Sequence, residues 1–138
     1  MKRDVRKELE AYLTMPEAHI NCAECTSMAL SNALGIGNGL EDACYMAAFG
    51  GGMGCGNVCG AVTGGVAALS CKYVEGDGGH TSPTLMQKVK TYIRLVKTEY
   101  GSEQCKMLKP QFFSKEERCY QTILRIAEVL DRVDQMEA

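Results

Sequence analysis

The chain has 138 residues, a length typical of one domain, and eight of these residues are cysteine. Its 15 Lys and Arg residues against 17 Asp and Glu residues give a net charge of −2, which excludes a basic footprint for nucleic acid. A content of 46% hydrophobic and 23% charged residues excludes a disordered chain, and the cysteine content lies below the roughly 8–10% of a disulfide-stapled miniprotein. We therefore expect residues 1–138 to form a single globular domain.

Apolar residues recur at helical spacing from the start of the chain. The stripe of the first predicted helix, which ends before Pro16, consists of Val5, Leu9, Tyr12 and Leu13. Asn21 is a good N-cap residue, and Glu24 follows it three residues later. This pair predicts a second helix over about 22–34.

A glycine-rich stretch occupies the centre of the sequence. Apolar spacing over 40–47 predicts a short helix that runs into a loop of glycines at 50–56. Asn57 is then a candidate N-cap, and it predicts a helix from Val58 to about Tyr73.

The second half of the chain carries two further strong helical patterns. Ser82 followed by Pro83 fits the start of a helix, and Gly101 fits its end. Ser114 with Glu117 makes a capping box for a last helix. Because no segment shows the alternation of a strand, we expect an all-α bundle of five to seven helices with the Gly-rich loop at its centre.

The termini and the uncharged stretch bear on the compartment. The first residues are charged and amphipathic and lack the apolar run of a signal peptide, so we expect a cytoplasmic protein in a reducing environment. The uncharged residues 43–71 are long enough for a bilayer, but their clustered glycines do not suit a lipid-exposed segment. We therefore expect no membrane insertion.

Two cysteine pairs lie near predicted helix starts. Cys22 and Cys25 form a CxxC in the first turn of the second helix, and Cys59 follows Cys55 with three residues between them. Free N–H groups at a helix start favour a thiolate. The same residues also fit two alternatives, a Cys₄ zinc site or small apolar residues packed in a core.

The other cysteines have apolar neighbours. Cys105 and Cys119 flank a short segment that contains Pro110, and Cys119 shares the apolar stripe of the last helix. Cys44 and Cys71 also lie in apolar helical contexts, and for both we expect either a place in the core or no part in the site.

Gly56, Gly60 and Gly64 are spaced four residues apart and predict a helix face without side chains. Such a face lets another helix, or a cofactor, approach closely. The run has neither the lysine of a Walker A loop nor a GxGxxG pattern, so nucleotide binding is not expected.

The segments Asn21-Cys22-Ala23, 49–54 (FGGGMG) and 59–64 (CGAVTG), followed by Cys105 and Cys119, resemble the C_GCAxxG_C_C family of redox-active proteins. The resemblance implies that Cys22, Cys59, Cys105 and Cys119 are the hallmark thiols. Cys25 and Cys55 are extra thiols that could pair with a hallmark cysteine. The family supplies no substrate and no reaction.

Three hypotheses remain open at this stage. In the first, the four hallmark thiols converge for thiol/disulfide exchange or electron transfer with a protein redox partner. In the second, the same four thiolates hold zinc or an iron–sulfur cluster. In the third, the cysteines only pack, and the chain is a helical interaction module, for example a homodimer through its long helices.

Overall fold

The computed structural model describes Lys7, residues 22–33 and residues 44–136. Its α-helices over this part of the chain are α1 (Cys22–Ala33), α2 (Gly60–Tyr73), α3 (Pro83–Tyr100), α4 (Cys105–Phe112) and α5 (Tyr120–Gln135). Short 3-10 helices cover Cys44–Phe49 and Gly79–Thr81. The expected all-α fold is confirmed, while the predicted first helix and the Asn21 cap lie outside the described residues. Across these described ranges, no helix combines the length and apolar character needed to cross a bilayer.

Helix α2 is the centre of the bundle and contacts α1, α3 and α5. Its buried apolar residues and those of the other helices form one core, in which Tyr92 of α3 is the largest fully buried side chain. The Tyr92 hydroxyl donates towards the carbonyls of Ala61 and Val62 at 3.4 and 3.3 Å. A side chain at Gly65 would overlap this hydroxyl, so glycine makes room for the tyrosine.

Glycines on α2 let α1 approach closely. A Cβ atom on Gly64 would lie 2.8 Å from the Ala23 carbonyl oxygen, and one on Gly60 would overlap the Cys22 sulfur. The close-packing explanation of these two glycines therefore holds, because α1 occupies the face that a cofactor would need. Gly56 does not belong to this face: it precedes α2, has a φ of +73° and faces Lys106 of α4.

Two helix starts differ from their predictions. Helix α2 begins at Gly60 rather than Val58, because Val58 pairs in antiparallel fashion with Gln104. Helix α5 begins at Tyr120 rather than directly after Ser114, whose hydroxyl does accept the predicted bond from the Glu117 N–H. By contrast, α3 begins at Pro83 and ends before Gly101 as predicted.

The Gly-rich loop is a left-handed turn rather than an open coil. Four consecutive residues, 51–54, have φ between +61° and +70°, and Met53 is the one among them that has a side chain. The Asn57 N–H closes the turn on the Gly52 carbonyl at 3.1 Å. Left-handed backbone is costly for residues with a Cβ atom, which explains why glycine dominates here.

A buried lysine holds the end of α5. Lys88 of α3 is 5% exposed, and its ammonium donates to the carbonyls of Val133 and Met136 at 2.9 and 2.6 Å. It also lies 4.9 Å from the centre of the Tyr73 ring. The charge therefore caps the C-terminus of α5 and joins α2, α3 and α5.

Candidate functional site

The four hallmark cysteines lie at the starts of four different helices. Cys22 is the first residue of α1 and Cys105 is the first residue of α4. Cys59 and Cys119 are the residues directly before α2 and α5. All four line one cavity, so four helix N-termini border the same space.

A short backbone pairing brings Cys59 and Cys105 together. The Cys59 N–H donates to the Glu103 carbonyl at 2.8 Å, and the Cys105 N–H donates to the Asn57 carbonyl at 2.6 Å. These bonds fix the segment before α2 against the segment before α4, so both helices start beside each other.

A second backbone pairing positions Cys119. The N–H groups of Ser114 and Arg118 donate to each other's carbonyls at 3.2 and 2.6 Å. Arg118 has a φ of +53°, which turns the chain sharply before Cys119. A residue with a Cβ atom in this conformation is strained, and such strain often marks a functional position.

The cavity has a volume of about 230 Å³. Besides the four hallmark cysteines, its lining consists of Cys25, Gly51, Lys109, Phe113, Arg118, Thr122 and Ile123. Two of these residues are cations and none is an anion. The cavity is therefore a sulfur-rich, largely apolar space with positive charge at its wall.

Burial controls the charge state of the inner thiols. Burial raises the pKa of Cys25 to about 12, and a charge on Cys22 adds to this rise. Burial also raises the pKa of Cys59 to about 12, although the N–H groups of Ala61 and Val62 oppose the rise. Both thiols are consequently protonated at neutral pH.

The two outer thiols are influenced by the nearby cations. Burial raises the pKa of Cys105, a charge on Cys22 raises it further, and Lys109 lowers it. Burial likewise raises the pKa of Cys119, and both Lys109 and Arg118 oppose that rise. Cys22 thus lies within electrostatic reach of the other three hallmark thiols and of Cys25.

The remaining predicted cysteines lie elsewhere. Cys55 is exposed in the left-handed turn and does not line the cavity. Cys71 is exposed in the last turn of α2 and does not line the cavity, so it lies outside both the core and the site, which is the second of the two expected alternatives. The side chain of Cys44 lies outside the described part of the structure.

The described cysteines form neither a disulfide nor a group of metal ligands. The seven cysteines whose side chains are described are free thiols, and in the same part of the chain no three Cys, His, Asp or Glu side chains are close enough to share one metal ion. A structural zinc site takes four protein ligands in a tetrahedral array, and the described side chains form no such group.

Comparison of the sequence with known protein families shows which family the chain belongs to. A family model described as "Putative redox-active protein (C_GCAxxG_C_C)" matches residues 20–133, which include the four hallmark cysteines and Cys25. The chain belongs to the C_GCAxxG_C_C family. Neither the search of curated proteins nor that of solved structures found a match. The residues matched by the C_GCAxxG_C_C model include every residue that lines the cavity.

Sequence reasoning did not find Lys109, Arg118 and Thr122 as parts of the site. The signal was weak, because a cation within a polar segment and a threonine near a helix start are common surface features. Proximity to a hallmark cysteine was the available clue: Arg118 directly precedes Cys119, and Thr122 follows it by three residues.

Proposed function

We propose that the protein is a thiol redox protein whose cysteine-lined cavity undergoes reversible thiol/disulfide exchange with a disulfide-bearing partner. The observation that carries this proposal is the convergence of four helix N-termini, each bearing a hallmark cysteine, on one cavity. The N–H groups and positive end of a helix favour negative charge on sulfur, as attack on a disulfide requires, and this effect opposes the rise that burial causes in the thiol pKa values.

Cys22 is the attacking thiol in this proposal. It is partly exposed and begins α1, whereas Cys25 and Cys59 are 1% and 5% exposed. A buried thiol with a pKa of about 12 is protonated at neutral pH and reacts slowly. The buried thiols are therefore the resolving partners, which react after the first bond has formed.

The exchange balances without a further reagent. The Cys22 thiolate attacks one sulfur of the partner's disulfide, forms a mixed disulfide and releases one partner thiol after protonation. A resolving thiol, Cys59 or Cys25, then loses its proton, attacks the Cys22 sulfur and releases the second partner thiol. Two electrons pass from this protein to the partner, and two thiols here become one disulfide.

Cys59 is the favoured resolving residue. The Cys22 sulfur lies against Gly60, because a Cβ atom on that glycine would overlap it, and Cys59 is the neighbour of Gly60 in the chain. Cys25 lies three residues further along the same helix as Cys22, a spacing that also permits a disulfide.

The experiment uses reduced full-length protein with glutathione disulfide as the oxidant. Thiol loss is followed by timed alkylation, and disulfides are mapped by mass spectrometry of peptides. The wild type should lose two thiols, and Cys22→Ser should slow the loss by at least about tenfold. Cys71→Ser is the matched control, because Cys71 is exposed and remote from the cavity lining, and it should react as the wild type does.

The resolving residue is identified by trapping. Cys59→Ser should accumulate glutathione on Cys22, while Cys25→Ser should still close the disulfide between Cys22 and Cys59. The proposal fails if Cys22→Ser oxidises as fast as the wild type, or if the oxidised wild type carries no disulfide among the cavity cysteines.

An iron–sulfur cluster held by the four hallmark cysteines is the second candidate. The observation that favours it is that all four hallmark cysteines line one cavity of about 230 Å³ beside two cations, which would offset thiolate charge. A cluster would supply one-electron transfer. Iron and sulfide analysis, together with an absorption spectrum of anaerobically prepared protein, tests this candidate. A coloured protein that loses its colour in Cys105→Ser but keeps it in Cys71→Ser supports the cluster. A colourless, iron-free wild type refutes it.

A further inference from the structure

The Thr122 hydroxyl is the unexplained polar group of the cavity. Thr122 is 3% exposed and lines the cavity, and its oxygen has no hydrogen-bond partner among the residues that the structure describes. A buried hydroxyl without a partner is costly, so such a group in a native site calls for an explanation.

Other helical hydroxyls in this fold are satisfied locally. Thr91 and Thr98 on α3 donate to the carbonyls four residues earlier, at 3.0 and 2.8 Å. For Thr122 that position is Arg118, which lies outside the helix and whose carbonyl already accepts the Ser114 N–H. The usual bond within the helix is therefore not made, and the hydroxyl remains available to a ligand in the cavity.

The charged residues of the cavity favour a ligand with a negative charge. Lys109 and Arg118 are the charged residues of the lining, and no carboxylate accompanies them. The Lys109 ammonium lies 4.7 Å from the centre of the Phe113 ring, another lining residue, which holds this cation at the cavity wall. The helix starts add N–H groups and positive dipole ends, which attract anions.

The size of the cavity limits the ligand. Its volume of about 230 Å³ lies below the roughly 300–1,000 Å³ of sites for drug-sized molecules. A group of a few heavy atoms fits in this space.

We propose that this cavity binds a small oxyanion, which accepts a hydrogen bond from the Thr122 hydroxyl and pairs with Arg118 and Lys109 beside the cysteine sulfurs. The inference deepens the proposed function, because it names the class of small molecule that reaches the reacting thiols. Its binding does not itself require that the thiols change oxidation state.

The test is calorimetric titration of reduced full-length protein with sodium thiosulfate and, separately, sodium sulfate at constant ionic strength. Wild type should bind one anion per chain. Thr122→Val should weaken binding by about tenfold, because one hydrogen bond to a charged ligand is lost, while Thr122→Ser should bind as the wild type does. Thr122→Val should fold well, since it removes an unpaired hydroxyl and keeps the side-chain shape.

Charge variants separate a built site from general attraction. Arg118→Gln and Lys109→Gln should each weaken binding, whereas Lys90→Gln, which removes an equal charge from an exposed position on α3, should not. The inference is overturned if neither anion binds at millimolar concentration, if Thr122→Val binds as tightly as the wild type, or if Lys90→Gln weakens binding as much as Arg118→Gln.

The same preparations distinguish the two proposals. Thiol loss of the wild type to glutathione disulfide is measured in chloride buffer without added oxyanion. Exchange without anion binding refutes only the oxyanion site. Anion binding with the expected variant pattern, but without disulfide formation, supports the site and refutes the thiol-exchange function.

Discussion

Replacing Gly64 with alanine tests the close contact between α1 and α2. The added Cβ atom would lie 2.8 Å from the Ala23 carbonyl oxygen, 2.8 Å from the Thr26 Cβ atom and 3.0 Å from the Ser27 backbone nitrogen. Ordinary contacts begin at 3.4 Å, so α1 must retreat by about 0.6 Å at this point. Two of the three atoms are backbone, which cannot move aside by rotating a side chain.

The expected destabilisation follows from two opposed effects. Overpacking of this kind costs about 1–3 kcal/mol. Alanine has a better helix propensity than glycine by about 1 kcal/mol, which offsets part of that cost. Because two of the three contacts are with backbone atoms, the overpacking cost lies in the upper part of its range, at about 2–3 kcal/mol. We therefore expect the free energy of unfolding of Gly64→Ala to fall by about 1–2 kcal/mol, measured on reduced protein by urea denaturation followed by circular dichroism.

Gly79→Ala is the matched control for this experiment. A Cβ atom on Gly79 would meet nothing within 4 Å, so the stability of this variant should stay within about 0.5 kcal/mol of the wild type. A Gly64→Ala protein as stable as the wild type, or more stable, would show that the interface between α1 and α2 accommodates an added methyl group. The explanation of the α2 glycines by helix contact would then be wrong.

Three further predictions concern stability. Lys88→Met should lower the free energy of unfolding by about 2–3 kcal/mol, because the carbonyls at the end of α5 lose a charged donor. In the same urea assay, the control Lys90→Met should change it by less than about 0.5 kcal/mol. Equal stability of the two variants would contradict the capping role of Lys88. Because the buried thiols of Cys25 and Cys59 have pKa values of about 12, against 9.0 when exposed, the unfolded chain loses these protons first as pH rises. These thiols should therefore leave the stability of the reduced protein unaffected below pH 9 and lower it between pH 9 and about 12, by about 1.4 kcal/mol per pH unit for each thiol. The Cys25→Ala, Cys59→Ala double variant should show a smaller decline in urea titrations at several pH values. Met53→Gly should raise stability by about 0.5–1 kcal/mol in thermal melts, since Met53 has a φ of +61°, and a loss of stability would count against the left-handed turn.

The sequence was most informative where a local signal decides the structure. Ser82, Pro83 and Gly101 mark the ends of α3 because capping depends on adjacent residues. The start of α2 could not be predicted in this way, since Val58 is held by Gln104, a residue 46 positions later. Asn57 is a good N-cap residue in isolation, but its carbonyl is engaged by the Cys105 N–H.

The candidate site likewise contains some residues that the sequence identified and others that it did not. The motif residues identified Cys22, Cys59, Cys105 and Cys119, and the structure brings these four to one cavity. Spacing also suggested Cys55 as a partner, but the left-handed turn exposes it to solvent. The role proposed for Thr122 rests on the absence of a hydrogen-bond partner for its hydroxyl among the described residues. Only the three-dimensional structure reveals this absence.

The pairing of residues 57–59 with residues 103–105 has a consequence for how the site tolerates change. Its two bonds join main-chain N–H and C=O groups, so the relative placement of the Cys59 and Cys105 α-carbons is independent of the side chains in either segment. Most substitutions at Val58 or Gln104 would thus leave the two cysteines in register. Proline at the cysteine positions would be an exception, because it removes the N–H that each bond uses. Backbone hydrogen bonds therefore fix the geometry of this half of the cavity, whereas its chemistry depends on the two cysteine side chains.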